Sequence, residues 1–248
     1  MKGIFTMRYE KNYIHKDNAY EIIKTFAKEY RRINGERIPA EIIIVGGGSI
    51  LLNYGFREFT QDFDIMVSST VEIKDIVHKV ADQFNLFDDW MNTDFKNTIS
   101  YSDKLRKVSK HKYSFNHGSL EIRTVKDEYL IAMKMVAVRS YRNDISDIIG
   151  ILLYAQKAGN RITMEQIDHA LNVLYDNPEG IVREELFRQV ERYTNMDCSD
   201  LYTAYWEMKD KEKRTKEDIV EISEKYPDVV AEKSVESIIE EIRKKRGN

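Results

Sequence analysis

The chain of 248 residues has few of the residues that build disulfide-rich, collagen-like or loop-dominated proteins. Its only cysteine is Cys198, which excludes both an intrachain disulfide and a zinc site built from cysteines. With 3 prolines and 11 glycines, the composition favours long helices. No run approaches roughly 18 uninterrupted apolar residues. Residues 1–18 also lack the apolar core of a signal peptide, so we expect a cytoplasmic protein without a membrane span.

The charge balance excludes a further class of protein. Lysine and arginine number 39 against 42 aspartates and glutamates, which gives a net charge of −3. A chain-wide polycation of the histone type is therefore excluded, but a local basic patch for RNA or nucleotides is not. Apolar and aromatic residues make up 42% of the chain, enough for a substantial core, and the length allows one or two domains.

Hydrophobic patterning changes character about halfway along the chain. Short β-branched runs predict strands at 41–45, 63–68, 112–117 and 119–125, the last two joined as a hairpin through His117 and Gly118. Helical spacing predicts helices at 17–33 and 71–84 and a short one after the glycines at 46–48. From Asp127 onward it predicts only helices, at 127–141, 144–158, 163–175, 180–193, 197–211, 215–226 and 231–246.

This order of elements predicts an α+β fold. A small mixed β-sheet forms from the first half and is followed by a helical C-terminal region. We place the boundary where strands give way to helices, so that residues 1–126 form the α/β core and residues 127–248 form the helical region.

The segment most informative about chemistry is residues 42–67. A buried strand runs into Gly46, Gly47 and Gly48, and a short apolar helix follows. Glycines let the backbone turn sharply and let a ligand approach it closely. The first amides of the helix then form a site for an anion, so this segment can hold a phosphate.

Two carboxylates follow the glycines on the next predicted strand. Asp62 and Asp64 are two positions apart, which puts their side chains on one face of the strand. Like charges so close together repel one another. A Mg²⁺ ion between them removes that cost, because Mg²⁺ prefers carboxylates, water and phosphate oxygens. A phosphate site beside an Asp-x-Asp pair is what metal-assisted phosphoryl or nucleotidyl transfer requires.

Other interpretations of the segment compete with this one. The Gly-x-x-x-x-Gly-Lys-Ser/Thr pattern of a P-loop does not occur, and Leu51 replaces the third glycine of a dinucleotide-binding motif. The glycines could also form no more than a tight turn, and Asp62 and Asp64 could be solvated residues at the start of a strand.

The residues of this segment resemble a known family. Gly46 and Gly47, followed by Arg57, Thr60 and the Asp-x-Asp pair, are similar to the signature of the nucleotidyltransferase superfamily related to DNA polymerase beta. Within it, the chain most resembles the AbiEii-like toxins of abortive-infection and toxin–antitoxin systems. Members of that group also have a later helix with a lysine, an arginine and paired aspartates. Residues 129–149 supply these as Lys134, Arg139, Asp144 and Asp147.

The resemblance implies a role for each of these residues. Gly46 and Gly47 would form the phosphate-binding turn, assisted by the Ser49 hydroxyl, with Arg57 and Thr60 in the nucleotide site. Asp62 and Asp64 would bind Mg²⁺, and Glu121 is the candidate for the third carboxylate that superfamily members often use. Lys134 would neutralise triphosphate charge, and Asp147 or Asp144 would join the site or orient Lys134 or Arg139.

Five of these residues also have a structural interpretation. Arg57 could be a surface residue, Thr60 a structural hydroxyl and Glu121 an exposed strand residue. Lys134 could extend its ammonium group from a packed helix to solvent, and Asp144 could be a helix N-cap. A separate basic stretch between Tyr101 and Tyr113 could contact nucleic-acid phosphates or form a solvated face, and it contains Lys104, Arg106, Lys107, Lys110 and Lys112.

The function implied is Mg²⁺-dependent transfer of a nucleoside monophosphate from an NTP to a hydroxyl of RNA or protein, in a toxin with an antitoxin as partner. One alternative is a non-catalytic member of the fold that binds a nucleotide or a partner protein. Another is a small-molecule nucleotidyltransferase of the antibiotic-resistance kind.

Overall fold

The structure is a computed structural model that describes residues 12–35, 38–67, 73–139 and 142–225. Its strands are β1 (Ile14–His15), β2 (Ala40–Ile44), β3 (Phe59–Thr60), β4 (Phe63–Val67), β5 (Met91–Asn92), β6 (Ser109–Phe115) and β7 (Leu120–Val125). Its helices are α1 (Ala19–Asn34), α2 (Gly46–Asn53), α3 (Lys74–Phe84), α4 (Asp127–Ala137), α5 (Asp144–Lys157), α6 (Met164–Leu174), α7 (Glu184–Asn195) and α8 (Cys198–Lys225). The predicted α+β class is confirmed.

The chain forms two compact units. The first, called here the sheet unit, comprises Met1–Asn97 and Leu105–Lys126. The second, the helical unit, comprises Thr98–Lys104 and Asp127–Asn248.

The sheet unit is built on a five-stranded mixed sheet in the order β5-β4-β2-β7-β6. The central strand β2 runs antiparallel to β4 and parallel to β7. Its isoleucines Ile42 and Ile44 are fully buried in a core shared with residues of α1 and α3. An apolar run without alternation indicates a strand in the middle of a sheet, and this is where β2 lies.

The predicted hairpin is confirmed. Strands β6 and β7 pair antiparallel, with Phe115 opposite Leu120. They are joined by a turn of three residues, Asn116, His117 and Gly118, all of which have positive φ. Asparagine and glycine tolerate this left-handed backbone better than other residues do.

Two small pairings were not predicted. Strand β1 pairs antiparallel with β3, with Ile14 opposite Thr60, and strand β5 adds to the edge of the main sheet beside β4. Each of these strands has only two residues, too few to show the alternation from which a strand is recognised.

In the helical unit, α5 packs on α8 and α4 packs on both α5 and α6. The predicted break between helices at 197–211 and 215–226 is wrong, because α8 runs without interruption from Cys198 to Lys225. Neither proline nor glycine occurs in that range, and Glu212, Lys213 and Arg214 all favour helix. The helix predicted at 231–246 lies outside the described residues. No helix of the described ranges is long and apolar enough to cross a membrane.

Candidate functional site

The glycine turn lies at the end of the central strand. Val45 is extended and caps α2, which begins at Gly46 with φ of +55°. A Cβ on Gly48 would lie 2.5 Å from the ring of Phe63 and 2.8 Å from Ile44, so no side chain fits there. Gly46 therefore provides the turn and Gly48 allows the helix to pack on the strands. The N-terminus of α2 consequently lies at the carboxyl end of β2.

The Asp64 carboxylate lies against this turn. Strand β4 is the antiparallel neighbour of β2, and the amide of Val45 donates to the carbonyl of Asp64 at 2.9 Å. Oδ2 of Asp64 is 3.5 Å from the position that a Cβ on Gly46 would occupy. Asp62 precedes it by two residues, and both side chains are partly exposed. The Asp64 carboxylate thus borders the amide end of α2.

Arg57 also reaches the turn. Its guanidinium is 3.0–3.1 Å from the position of a Cβ on Gly47, and its Nε donates to the carbonyl of Phe59 at 3.2 Å. Thr60 follows in β3 and is buried opposite Ile14. The structure therefore brings Arg57 to the glycines and places Thr60 in the β1–β3 pairing.

The predicted phosphate contact of Ser49 does not agree with its surroundings. Ser49 is fully buried in α2. Its Oγ accepts a hydrogen bond from the amide of Val125 at 3.3 Å and one from Asn53 Nδ2 at 3.5 Å. Its position, one turn into the helix, turns the hydroxyl toward β7. Ser49 therefore fastens α2 to the sheet.

Glu121 is not in the predicted place either. It lies opposite Glu41, four residues before Val45 along the sheet, which is about 13 Å from the turn at about 3.3 Å per residue. Its carboxylate contacts Ser114 Oγ at 2.5 Å and His111 Nε2 at 3.1 Å. Closer to the turn on the same face, β7 presents Arg123, opposite Ile43. Glu121 therefore lies in the hairpin and not at the third corner of the site, and Arg123 is engaged in the hairpin too, where it donates to the hydroxyl and to the carbonyl of Ser109, each at 2.8 Å.

The donor set fits one Mg²⁺ ion shared with substrate phosphates. Across residues 12–35, 38–67, 73–139 and 142–225, no group of three or more His, Cys, Asp and Glu side chains could hold a metal ion. A magnesium ion is commonly bound by one or two carboxylates together with water and substrate phosphates. Asp62 and Asp64 supply two such carboxylates, and that of Asp64 lies beside amides that can bind the phosphates.

The basic stretch at 104–112 is mostly engaged locally. Lys104 pairs with Asp176 at 3.0 Å, and Arg106 pairs with Glu41 at 2.8 Å. Lys112 donates to the carbonyl of Leu52 near the C-terminal end of α2, at 2.5 Å. Burial, and to a smaller extent the charge of Lys110, lowers the pKa of Lys112. These contacts favour the structural interpretation of the stretch over an open nucleic-acid surface.

The second motif forms a charge cluster inside the helical unit. Lys134 of α4 is buried, and its Nζ lies 2.7 Å from Asp144 and 2.8 Å from Asp147 in the first turn of α5. Arg139 donates to Asp144 Oδ2 from its backbone amide at 3.0 Å and from Nε at 3.2 Å. The helix N-cap is Asn143, so Asp144 is not the cap.

Burial and ion pairing have opposite effects on the pKa of Asp144. Burial alone raises the pKa of Asp144, but the charges and hydrogen bonds of Lys134 and Arg139 outweigh burial and lower the pKa to about 2. Asp144 is therefore ionised at neutral pH, and Lys134 is held between two carboxylates rather than extending to solvent.

One charged residue of this region was missed. Glu212 of α8 is buried, and its Oε1 accepts from the amides of Ile145 and Ser146 at 3.1 and 3.2 Å. The signal in the sequence is its spacing. Glu212 follows the buried Leu201 and Tyr205 at helical intervals, so a charged residue occupies the apolar side of α8.

Comparison with known proteins identifies the family. A family model described as "Nucleotidyltransferase of unknown function (DUF6036)" matches residues 21–213, which include the glycine turn, the Asp-x-Asp pair and the buried charge cluster. No curated protein and no solved structure matches the chain significantly. Because the match covers most of the chain, the protein belongs to this family of nucleotidyltransferases of unknown function.

Proposed function

We propose that this protein transfers a nucleoside monophosphate from an NTP to a hydroxyl group of RNA or protein and releases pyrophosphate. The observation that carries the proposal is the position of Asp64 Oδ2, which lies 3.5 Å from where a Cβ on Gly46 would be, at the N-terminus of α2. A group that can share a metal ion with a triphosphate thereby lies beside amides that can bind that triphosphate.

Each residue at the turn has a distinct part in the proposed reaction. The first amides of α2 bind phosphate oxygens, and Arg57 adds a positive charge at Gly47. Asp62 and Asp64 would hold Mg²⁺, which polarises phosphoryl oxygens and orients the substrate when bound. The acceptor hydroxyl attacks the α-phosphorus and gives its proton to solvent, while the bond between the α-phosphorus and the bridging oxygen breaks and pyrophosphate leaves with the electron pair.

The resemblance to AbiEii-like proteins also assigns Lys134 and Asp147 a part in catalysis. A lysine that neutralises triphosphate charge is a common part of phosphoryl-transfer sites.

The choice of acceptor follows from the same resemblance. The chain would act as a toxin that modifies RNA or protein and is paired with an antitoxin. A protein hydroxyl is as well supported as RNA, because Lys104, Arg106 and Lys112 have local partners. A second candidate function, nucleotide binding without catalysis, is favoured by the position of Glu121, which lies opposite Glu41 and away from the turn.

The proposal is tested by following the label of each NTP. The purified protein is incubated with Mg²⁺, total RNA or lysate protein, and each NTP labelled at the α- or γ-phosphate. We expect α-label on the acceptor, no γ-label, and an equal amount of pyrophosphate. Saturable nucleotide binding without transfer from any NTP would support the non-catalytic alternative.

The Gly47→Val variant is expected to bind NTP about tenfold more weakly or worse while the protein stays folded. The valine Cβ would displace the flexible Arg57 guanidinium, now 3.0 Å away, and the side chain would cover amides needed for phosphate. Loss of one charge-assisted hydrogen bond of about 1.5–3 kcal/mol accounts for this factor. Isothermal titration calorimetry with a non-hydrolysable NTP measures the affinity.

Gly55→Val is the control, because a Cβ there meets no atom within 4 Å. Equal affinities in both variants would place the phosphate site elsewhere.

A further inference from the structure

Glu212 is unusual among the charged residues of the helical unit. Only 5% of its surface is exposed. One carboxyl oxygen, Oε1, accepts from two backbone amides in the first turn of α5. The other, Oε2, is buried and has no hydrogen-bond partner within the described part of the chain. An ionised oxygen in that position would lose its hydration without compensation, whereas a neutral carboxyl group loses much less.

The surroundings of Glu212 also favour the neutral form. Burial is the main cause that raises its pKa to about 7; hydrogen bonds from Ser146 and Ile145 oppose this rise, and the charge of Asp147 in α5 adds to it. From α7 the facing titratable group is Tyr193. Burial raises the pKa of Tyr193, and the charges of Glu212 and Glu207 contribute to the rise against Gln189 and Arg192.

The amides that Glu212 binds belong to the turn that carries the charge cluster. Ile145 and Ser146 lie between Asp144 and Asp147, the two residues that hold the Lys134 ammonium at 2.7 and 2.8 Å. The charges of Lys134, Arg139, Asp144 and Asp147 sum to zero. A proton on Glu212 preserves that balance, and its loss would add a negative charge beside Asp147.

We propose that protonated Glu212 is a positioning residue, which fixes the first turn of α5 and through Asp144 and Asp147 sets the position of Lys134. The importance of that position for catalysis rests on the proposed function. The clamp itself is a property of the helical unit and can be measured without a substrate.

Hydrogen exchange tests the clamp directly. In Glu212→Ala, the amides of Ile145 and Ser146 lose their acceptor, and their exchange should become about tenfold faster or more. In Glu212→Gln, the amide oxygen can still accept, so exchange should remain near the wild-type rate. Glu217→Gln is the matched control, an exposed glutamate on the same helix. Unchanged exchange in a folded Glu212→Ala protein would overturn the proposal.

The pH dependence of the melting temperature tests whether Glu212 is protonated. A carboxyl group whose pKa is raised on folding stabilises the protein fully below about 4.5, and this contribution is lost as the pH rises to about 7. The melting temperature of the wild type should therefore fall relative to that of Glu212→Gln between pH 5 and 8. Parallel profiles would mean that Glu212 does not titrate in this range, and would overturn the protonated clamp.

The transfer assay links the clamp to catalysis. Glu212→Ala should lower kcat, and Glu212→Gln should restore it at pH 7. If exchange and melting behave as expected but neither variant changes the turnover of an active enzyme, the positioning role is overturned. If no transfer is seen with the wild type, the proposed function fails, while exchange and melting still decide on the clamp.

Discussion

The Asp64→Asn variant is expected to lose at least about a hundredfold in transfer activity, because even residues that only orient metal ligands cost about 10–100-fold in metal affinity or activity. The neutral amide keeps the shape of the side chain but removes a charged ligand next to Gly46, where Oδ2 lies 3.5 Å from the position of a Cβ. Asp62→Asn should behave similarly. Labelled NTP transfer under Mg²⁺ measures both.

Melting temperatures separate a ligand role from a structural one. Without ligand, removing one charge relieves repulsion within the pair but loses the attraction of the α2 N-terminus, worth about 0.3–1 kcal/mol. The fold should therefore stay intact, with equal or slightly higher stability. With Mg²⁺ and NTP, the wild type gains stability by binding while the variants gain less.

The control for this comparison is Asp82→Asn, an exposed aspartate of α3. It should retain the full rise in melting temperature on addition of Mg²⁺ and NTP. If Asp62→Asn, Asp64→Asn and the control all show the wild-type rise, the Asp-x-Asp pair does not bind the metal, and the enzymatic proposal loses its main support.

The glycine turn could be predicted because its requirements are local. A buried strand that runs into three glycines leaves few conformations other than a tight turn into a helix. The structure shows why glycine is required at two of these positions. Gly46 has a positive φ, and Gly48 packs too closely on Phe63 to carry a side chain. The antiparallel pairing of β2 and β4, which brings Asp64 to the turn, was compatible with the sequence but not fixed by it.

The third corner could not be predicted, because it depends on register. Glu121 was assigned to the correct strand, but nothing in a single strand tells how far along its neighbour it lies. The parallel pairing with β2 puts Glu121 beside Glu41 and leaves Arg123 closer to the turn. Ser49 was misjudged for a related reason, since only the position of β7 shows that its hydroxyl faces the interior.

Only part of the charge cluster could be predicted from the sequence. The resemblance to the AbiEii-like group was enough to suggest that Asp144 or Asp147 orients Lys134 or Arg139. Their partner Glu212 is more than 60 residues away and belongs to no motif, so its contact with the first turn of α5 depends entirely on helix packing. A glutamate on the apolar side of α8 was the only sign of it.

Replacement of Lys134 is expected to cause the largest loss of stability. The Lys134→Met variant fills a similar volume but leaves Asp144 and Asp147 without the ammonium that both contact. Removing one member of a buried ion pair typically costs about 3–5 kcal/mol, because the remaining charge is buried without compensation. We therefore expect a loss of about this size in the free energy of unfolding at pH 7.5, measured by urea denaturation.

The loss should depend on pH with a definite sign. In the wild type the pKa of Asp144 is lowered to about 2, so its contribution to stability is complete above the ordinary value of 3.8 and disappears as the pH falls through 2. Without Lys134, burial is opposed only by the charge and hydrogen bond of Arg139, so the pKa of Asp144 is higher than in the wild type, and the variant regains stability as the pH falls from 7.5 toward 4.5. The difference in the free energy of unfolding between wild type and variant should shrink over this range.

Lys211→Met removes an exposed lysine of α8 and should change stability by no more than about 0.5 kcal/mol at either pH. A loss in Lys134→Met that matches this control, or that stays constant with pH, would mean that the two aspartates are not held by Lys134.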